Sequence, residues 1–240
     1  MLQAPVPLRC GLARLTAIRH GQSTANVLFA EAAQTGRAEI PLDACDAQVP
    51  LSDLGRLQAR AAGRWLASLE PADRPDLAVS SPYLRALQTW DGMAAQAREQ
   101  GCAAPPVLVD ERLRDREMGV FELLTPAAIR TRAPEEAARR ERVGEWFYRP
   151  PGGESLADVT LRVRDFLTEL HDAAPGRHVA VVAHDAVVVG LRHALAGLGS
   201  PAPEASPVAN ASVSRWEGDG THLRLAEFGT TTHLKELTRP

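Results

Sequence analysis

Four short apolar runs, each ending in polar or turn residues, are the feature that most constrains the fold of this 240-residue chain. They span residues 13–18, 76–81, 106–110 and 178–184. Longer stretches with apolar residues at every third or fourth position lie between them, most clearly over residues 52–69. Strands that alternate with helices predict an α/β fold, a three-layer α/β/α sandwich whose mainly parallel sheet is covered on both faces.

Two further helices and a hairpin complete this prediction. Helical spacing runs from Ser81 or Pro82 to Gly101, and again over residues 154–173. Near the C-terminus, residues 211–228 form two β-like runs around a Gly-Asp-Gly turn. This pattern predicts a hairpin at one edge of the sheet.

Two long regions break the alternation of strands and helices. Residues 28–50 and 119–151 have no clear strand pattern, and the second is rich in Arg, Glu and Pro. Insertions of this length in a compact domain usually form lids or binding loops. We therefore expect a single domain over residues 1–240, with both insertions covering its active site.

Bulk composition excludes several classes of partner. The formal net charge is −3, so no overall positive field attracts nucleic acid or an anionic membrane surface. The chain has no apolar run of about 18 residues and no signal-peptide pattern. Its three cysteines, Cys10, Cys45 and Cys102, are too few and too dispersed for a disulfide framework or a zinc cluster. These features predict a cytoplasmic protein.

Chemically active side chains follow all four predicted strands. In open α/β sheets, ligands bind beyond the carboxyl ends of the strands, so these residues should meet at one edge. The groups are Arg19, His20 and Gly21 after the first strand, Ser80, Ser81 and Arg85 after the second, Asp110, Glu111, Asp115 and Glu117 after the third, and His184 and Asp185 after the fourth.

This set suits phosphoryl transfer. Arginine binds phosphate oxygens with two parallel hydrogen bonds, and a neutral imidazole can attack phosphorus. A carboxylic acid can then protonate the leaving oxygen, and no metal is required where cations already supply positive charge. Gly21 would let the backbone approach the ligand. Each residue alone has a structural explanation, such as a core histidine or a surface arginine, but their joint placement at four strand ends favours a site.

The chain resembles the histidine phosphatase superfamily, in its phosphoglycerate mutase-like branch. The hallmark of that family is Arg-His-Gly followed by a small hydroxyl residue and an asparagine, which here are Ser23 and Asn26. Further similar segments follow in the family's order and cover roughly residues 13–195: PLSDLGRLQA (50–59), SSPYLRALQT (80–89), RLRDREMGVFE (112–122), PPGGESLADVTLRV (150–163) and VAVVAHDAVV (180–189).

The resemblance implies roles for individual residues. His20 would be the phosphorylated nucleophile, with Arg19, Arg85 and His184 forming the phosphate pocket. Ser23 and Asn26 would make further contacts with the phosphate.

The proton donor has three candidates. Asp115 stands where the family usually has a glutamate, four residues before Gly119, and is the first choice. Glu117 is the second. Asp185 is the third, because the acid phosphatase branch takes its acid from a His-Asp pair; Asp185 could also contact the phosphate.

The resulting functional hypothesis is a metal-independent phosphatase that needs no cofactor. It would hydrolyse phosphate monoesters of small metabolites through a phosphohistidine on His20. A phosphoglycerate mutase-type phosphotransferase is the first alternative, although no basic, tyrosine-bearing loop like that of the mutases is evident. A non-catalytic protein that binds phosphorylated ligands is the second.

Overall fold

A computed structural model of the chain describes residues 4–203 and 207–237. A six-stranded sheet lies at its centre. The strands are β1 (Arg14–Arg19), β2 (Leu77–Ser80), β3 (Val107–Val109), β4 (His178–Ala183), β5 (Val213–Gly218) and β6 (Leu223–Thr230). Seven α-helices are described: α1 (Thr24–Thr35), α2 (Asp53–Ser68), α3 (Leu84–Glu99), α4 (Pro126–Arg132), α5 (Pro134–Val143), α6 (Leu156–Ala173) and α7 (Asp185–Ala196).

The strand order is β3-β2-β4-β1-β5-β6. The first four strands in this order are mutually parallel, and β5 and β6 continue the sheet in antiparallel fashion. The predicted α/β sandwich with a mainly parallel sheet and an edge hairpin is confirmed. All six residues of β4 are buried, as expected for a parallel strand with helices on both sides.

The core lies on both faces of the sheet. On one face, α6 and α7 pack residues such as Leu167 and Leu191 against the strands. On the other, α2 and α3 contribute Ala62, Trp90 and Met93. Burying each such Leu, Trp or Met side chain stabilises the fold by roughly 1.5–3 kcal/mol. None of the described helices is both long and apolar enough to cross a membrane.

Helix α3 begins later than the sequence predicts. The sequence predicts a start at Ser81 or Pro82, but the first helical residue is Leu84. The Ser81 hydroxyl accepts the Tyr83 N–H at 3.2 Å and also contacts His184, so this serine belongs to the strand-to-helix turn. At the start of α2, the Ser52 hydroxyl accepts the Gly55 N–H and caps the helix.

The two insertions contain helices rather than strands. Residues 28–50 hold the end of α1 and a 3₁₀ turn at Asp46–Gln48, and residues 119–151 hold α4 and α5. Helix α5 has no buried residue and carries ion pairs on its surface. Both insertions contribute side chains to the cavity described next.

Candidate active site

The carboxyl ends of three parallel strands bring the predicted residues together. His20 follows β1, Arg85 lies in the first turn of α3 after β2, and His184 follows β4 as the N-cap of α7. The two imidazole ring centres are 5.1 Å apart. One ring nitrogen of each histidine and a carboxylate oxygen of Asp115 all lie within 4.8 Å of one another.

His20 is held as a neutral imidazole with one free nitrogen. Its Nδ1 lies 2.7 Å from the Gly21 carbonyl, which can only accept a hydrogen bond, so the ring proton is on Nδ1. Burial, followed by the electrostatic effects of His184 and of the Arg85 guanidinium, holds the pKa of His20 well below its usual range. Its Nε2 lone pair is therefore available for nucleophilic attack at neutral pH.

Arg85 is fixed between two carboxylates. Nη1 donates to Asp46 Oδ1 at 3.0 Å, and Nη2 donates to Asp46 Oδ2 at 2.9 Å and to Asp115 Oδ2 at 2.7 Å. The guanidinium also lies 4.9 Å from the centre of the Tyr83 ring. Sequence reasoning missed Asp46, which belongs to an insertion with no strand to place it.

Arg19 supplies the second guanidinium. Its Nη1 donates to the Val208 carbonyl at 2.5 Å, and its Nη2 lies 3.4 Å from Asp185 Oδ2. Its buried Nε has no acceptor among the described residues. Arg19 therefore keeps unsatisfied hydrogen-bonding capacity at the wall of the cavity.

Asp115 lies against His184 as well as Arg85. His184 Nδ1 lies 3.1 Å from Asp115 Oδ2, a close electrostatic approach. Burial alone would raise the pKa of Asp115; the His184 and Arg85 charges outweigh it and hold that pKa well below its usual range. His184 Nε2 contacts Ser81 Oγ at 2.8 Å. The His184 side chain is fully buried and does not line the cavity.

The other two acid candidates lie in different surroundings. Glu117 accepts a hydrogen bond from the Tyr83 hydroxyl at 3.1 Å, approaches Arg114 at 3.5 Å and does not line the cavity. Asp185 lines the cavity, but it pairs with Arg19 and accepts the Ala186 N–H at 2.7 Å. Asp115 alone among the three lies both beside His20 and on the cavity wall.

Ser23 and Asn26 form the cap of α1. The Ser23 hydroxyl accepts the Asn26 N–H at 3.1 Å, and the Asn26 side-chain oxygen accepts the Ser23 N–H at 3.0 Å. That oxygen also accepts a hydrogen bond from Asn210, a residue that sequence reasoning missed. Asn26 lines the cavity, and with its side-chain oxygen occupied it has its amide NH₂ group left as a donor.

Gly21 packs closely against helix α2. A Cβ at this position would lie 2.6 Å from the Gly55 carbonyl oxygen of α2, so the missing side chain makes room for a helix. The Gly21 N–H donates to Thr89 Oγ1 at 3.0 Å. The glycine thus allows the loop that carries His20 to pack directly on α2.

A cavity of about 620 Å³ opens at this edge of the sheet. Arg19, His20, Asn26, Arg85 and Asp115 line one part of it. Most of its other lining residues are apolar: Ala25, Phe29, Met118, Phe121, Leu123, Leu124, Trp146, Leu156, Ala186, Val189, Pro203, Pro207 and Val208. Five of these residues come from the two insertions: Phe29, Phe121, Leu123, Leu124 and Trp146.

The charge of Arg85 disfavours a metal ion beside Asp115. By distance, the His20, Asp115 and His184 atoms could also surround a metal ion. The Arg85 guanidinium, however, donates to Asp115 at 2.7 Å, and its charge repels a cation placed there. Two arginines and a neutral histidine are groups that can bind the oxygens and the phosphorus of a phosphoryl group.

The chain belongs to the histidine phosphatase superfamily (branch 1), whose family model matches residues 15–231. Among its relatives is the glucosyl-3-phosphoglycerate phosphatase of Mycolicibacterium vanbaalenii, 33% identical over 89% of this chain and 84% of the relative. A 2,3-bisphosphoglycerate-dependent phosphoglycerate mutase of Gloeobacter violaceus is 33% identical over 72% of this chain and 71% of its own.

The chain is also similar to a solved structure. The mycobacterial glucosyl-3-phosphoglycerate phosphatase in complex with VO₃ is 31% identical, with a TM-score of 0.68, and the match covers 91% of this chain and all of that one. The predicted class of enzyme, a histidine phosphatase acting on small phosphate monoesters, is confirmed.

Proposed function

We propose that the protein hydrolyses phosphate monoesters through a phosphohistidine on His20, with Asp115 as the proton donor. The observation that carries this proposal is the neutral His20 ring beside Asp115 and within the field of two arginines. The membership of a phosphatase family supports it.

The first step forms a bond between His20 Nε2 and phosphorus. The bond from phosphorus to the leaving oxygen breaks, and Asp115 gives its proton to that oxygen, so an alcohol departs. The Gly21 carbonyl, 2.7 Å from His20 Nδ1, stabilises the positive charge that the ring gains. Arg19 and Arg85 hold the oxygens of the transferring group, assisted by the Asn26 amide.

The second step returns the site to its starting state. The Asp115 carboxylate takes a proton from a water molecule as that water attacks phosphorus. The bond from phosphorus to Nε2 breaks, its electron pair returns to the His20 ring, and inorganic phosphate is formed.

A proton donor must be protonated when substrate is bound, although Asp115 ionises readily in the free site. A phosphate dianion competes with the Asp115 carboxylate for Arg85, one of the groups that hold its pKa low. The negative charge of the phosphate also disfavours a second negative charge nearby. Substrate binding therefore raises the pKa of Asp115 and loads it with the proton that it later donates.

The fully buried His184 acts in this scheme through its neighbours. It faces Asp115 and His20 on one side and Ser81 on the other. We propose that it stabilises charge in the phosphate pocket once the Asp115 carboxylate moves off Arg85. The two insertions, whose residues line the cavity, cover the bound substrate.

The test measures phosphate release from p-nitrophenyl phosphate by wild type, His20→Ala and the matched control His222→Ala. His222 lies outside the cavity. We expect the His20 variant to lose activity by several orders of magnitude and the control to retain it. Rapid quenching with base should trap a phosphoprotein that is stable to alkali and labile to acid. Full activity in His20→Ala would contradict the proposal.

A further inference from the structure

The cavity contains no cation that is free to bind a second anionic group, among the residues that the structure describes. Apart from Arg19 and Arg85, the only basic side chain lining it is Arg116. Arg116 donates to Glu145 Oε1 at 2.5 Å, to the Glu154 carbonyl at 2.8 Å and to the Tyr148 carbonyl at 2.7 Å. Its side chain is 9% exposed, so its hydrogen-bonding capacity is already used.

Carboxylates outnumber cations in the same wall. Three arginines face five carboxylates, namely Asp46, Asp115, Glu122, Glu145 and Asp185, so the lining has an excess of negative groups. Four of these carboxylates lie within 4 Å of an arginine: Asp46, Asp115, Glu145 and Asp185.

Glu122 is the exception, since no ion pair is found for it among the described residues. Its Oε2 accepts the Met118 N–H at 3.2 Å. Burial, together with the charges of Asp46, Glu117 and Asp115, raises the pKa of Glu122 to about 7. The side chain is therefore a carboxyl group in weakly polar surroundings, beside other negative groups and open to the cavity.

The remaining surface of the cavity is apolar and partly aromatic. Phe29 comes from one insertion, and Phe121, Leu124 and Trp146 come from the other. The Trp146 ring packs edge-on against His193, with 4.8 Å between ring centres, which fixes its orientation. Such a surface stabilises a ligand in proportion to the apolar area that the ligand buries.

From these observations, and resting on the proposed phosphatase function, we propose that the substrate's leaving group is uncharged and carries an apolar surface. Glu122 is then a specificity-determining residue that rejects a second anion. A carboxylate or second phosphate on the leaving group would find no cation and would face Glu122. The apolar wall binds the carbon skeleton instead.

Three alkyl esters separate the effects of charge and of apolar area. Glycerol 3-phosphate and 3-phosphoglycerate share a three-carbon skeleton and differ in a hydroxymethyl against a carboxylate group, while hexyl phosphate offers apolar area. We expect kcat/KM at pH 8 to fall in the order hexyl phosphate, glycerol 3-phosphate, 3-phosphoglycerate. Each step should be on the order of tenfold, the first because hexyl phosphate buries more apolar area and the second because 3-phosphoglycerate makes one unfavourable charge contact in a partly exposed site.

The variant Glu122→Gln keeps the shape of the side chain and removes its charge. It should narrow the gap in kcat/KM between glycerol 3-phosphate and 3-phosphoglycerate severalfold, mainly through a lower KM for 3-phosphoglycerate. The matched control Glu135→Gln changes an exposed glutamate on α5 that does not line the cavity, and it should leave the gap unchanged.

The outcomes separate this inference from the proposal on which it rests. If the wild type hydrolyses the esters but prefers 3-phosphoglycerate, or if Glu122→Gln leaves the gap as it was, the inference is overturned and the phosphatase function stands. If no ester, including p-nitrophenyl phosphate, is hydrolysed, both are overturned.

Discussion

His20 and Asp115 have separate roles in the proposed reaction. His20 is a nucleophile that stays neutral, and Asp115 is an acid whose protonation depends on the ligand. His20 resists protonation because it is buried near positive groups. Asp115 is ionised in the free site because His184 and Arg85 lie beside it. A phosphate dianion changes the surroundings of both groups at once, which links binding to the proton transfer that follows.

Replacing Asp115 should damage catalysis selectively. In Asp115→Asn, an alkyl ester such as glycerol 3-phosphate should lose about 10²–10⁴-fold in kcat, the usual contribution of a general acid. p-Nitrophenyl phosphate should lose much less in its first step, because its leaving group departs without protonation. Comparing single-turnover rates for the two esters measures this difference.

Glu117→Gln provides the matched comparison. Glu117 does not line the cavity, so this variant should not reproduce the difference between the two esters. An equal loss for both esters in Asp115→Asn, or the selective loss in Glu117→Gln, would argue against Asp115 as the acid.

The sequence predicts residues at strand ends well and loop residues poorly. Arg19 ends a buried strand, His20 and His184 directly follow one, and the parallel sheet fixes where those strands end. Asp46 and Glu122 reach the cavity from insertions whose paths depend on tertiary packing. Nothing in their sequence spacing indicates that one would hold Arg85 or that the other would lack a cation.

At the scale of elements, the loop carrying His20 depends on its close packing against α2. A Cβ on Gly55 would lie 2.0 Å from the Gln22 carbonyl oxygen, and a Cβ on Gly21 would lie 2.6 Å from the Gly55 carbonyl oxygen. The backbones therefore touch with no side chain between them, and the position of His20 is set by a helix.

The substitution Gly55→Ala should push α2 and the loop that carries His20 apart. Because the clash is with backbone, we expect a loss of at least about 2 kcal/mol in the free energy of unfolding, and a fall in kcat as His20 shifts. Urea denaturation and steady-state kinetics measure the two effects. Gly190→Ala in α7 is the control, since a Cβ there meets its neighbours at 3.5 Å, an ordinary contact. Similar losses in both variants would contradict this explanation.

The elements that the sequence predicts are those that bury one face. Spacing of apolar residues indicated α2, α3 and α6, all of which pack on the sheet. Helix α5 buries no residue, and ion pairs such as Arg139 with Glu136 lie along it. Periodicity of apolar residues cannot reveal a helix that has no apolar face.

At the scale of the whole molecule, buried histidines link stability to pH. His178 lies in the central strand β4 and is 6% exposed; its Nε2 is 2.9 Å from Thr16 Oγ1, and its Nδ1 has no hydrogen-bond partner within the part of the chain that the structure describes. Burial, then the charge of Arg14, lowers the pKa of His178 to about 4. Burial also lowers the pKa of His20, His193 and His233.

The folded protein should therefore lose stability on mild acidification. Between pH 6.5 and 4 the unfolded chain binds protons that folded His178 does not accept, so the stability present above pH 6.5 is lost as the pH falls. The contribution of His178 is on the order of 3 kcal/mol. Urea denaturation at pH 7.5 and 5 measures the loss, which should be smaller in His178→Gln than in the control His222→Gln. A profile that is flat across this range would refute the expectation.

The contact of Arg85 with Asp46 and Asp115 has a further consequence for binding. These three residues come from α3, from the segment before α2 and from the segment after β3, so only the complete fold brings them together. The two carboxylates immobilise a long side chain before any ligand arrives. Its loss of rotamer entropy, up to about 2 kcal/mol, thus occurs during folding, and the incoming phosphate meets a preorganised guanidinium.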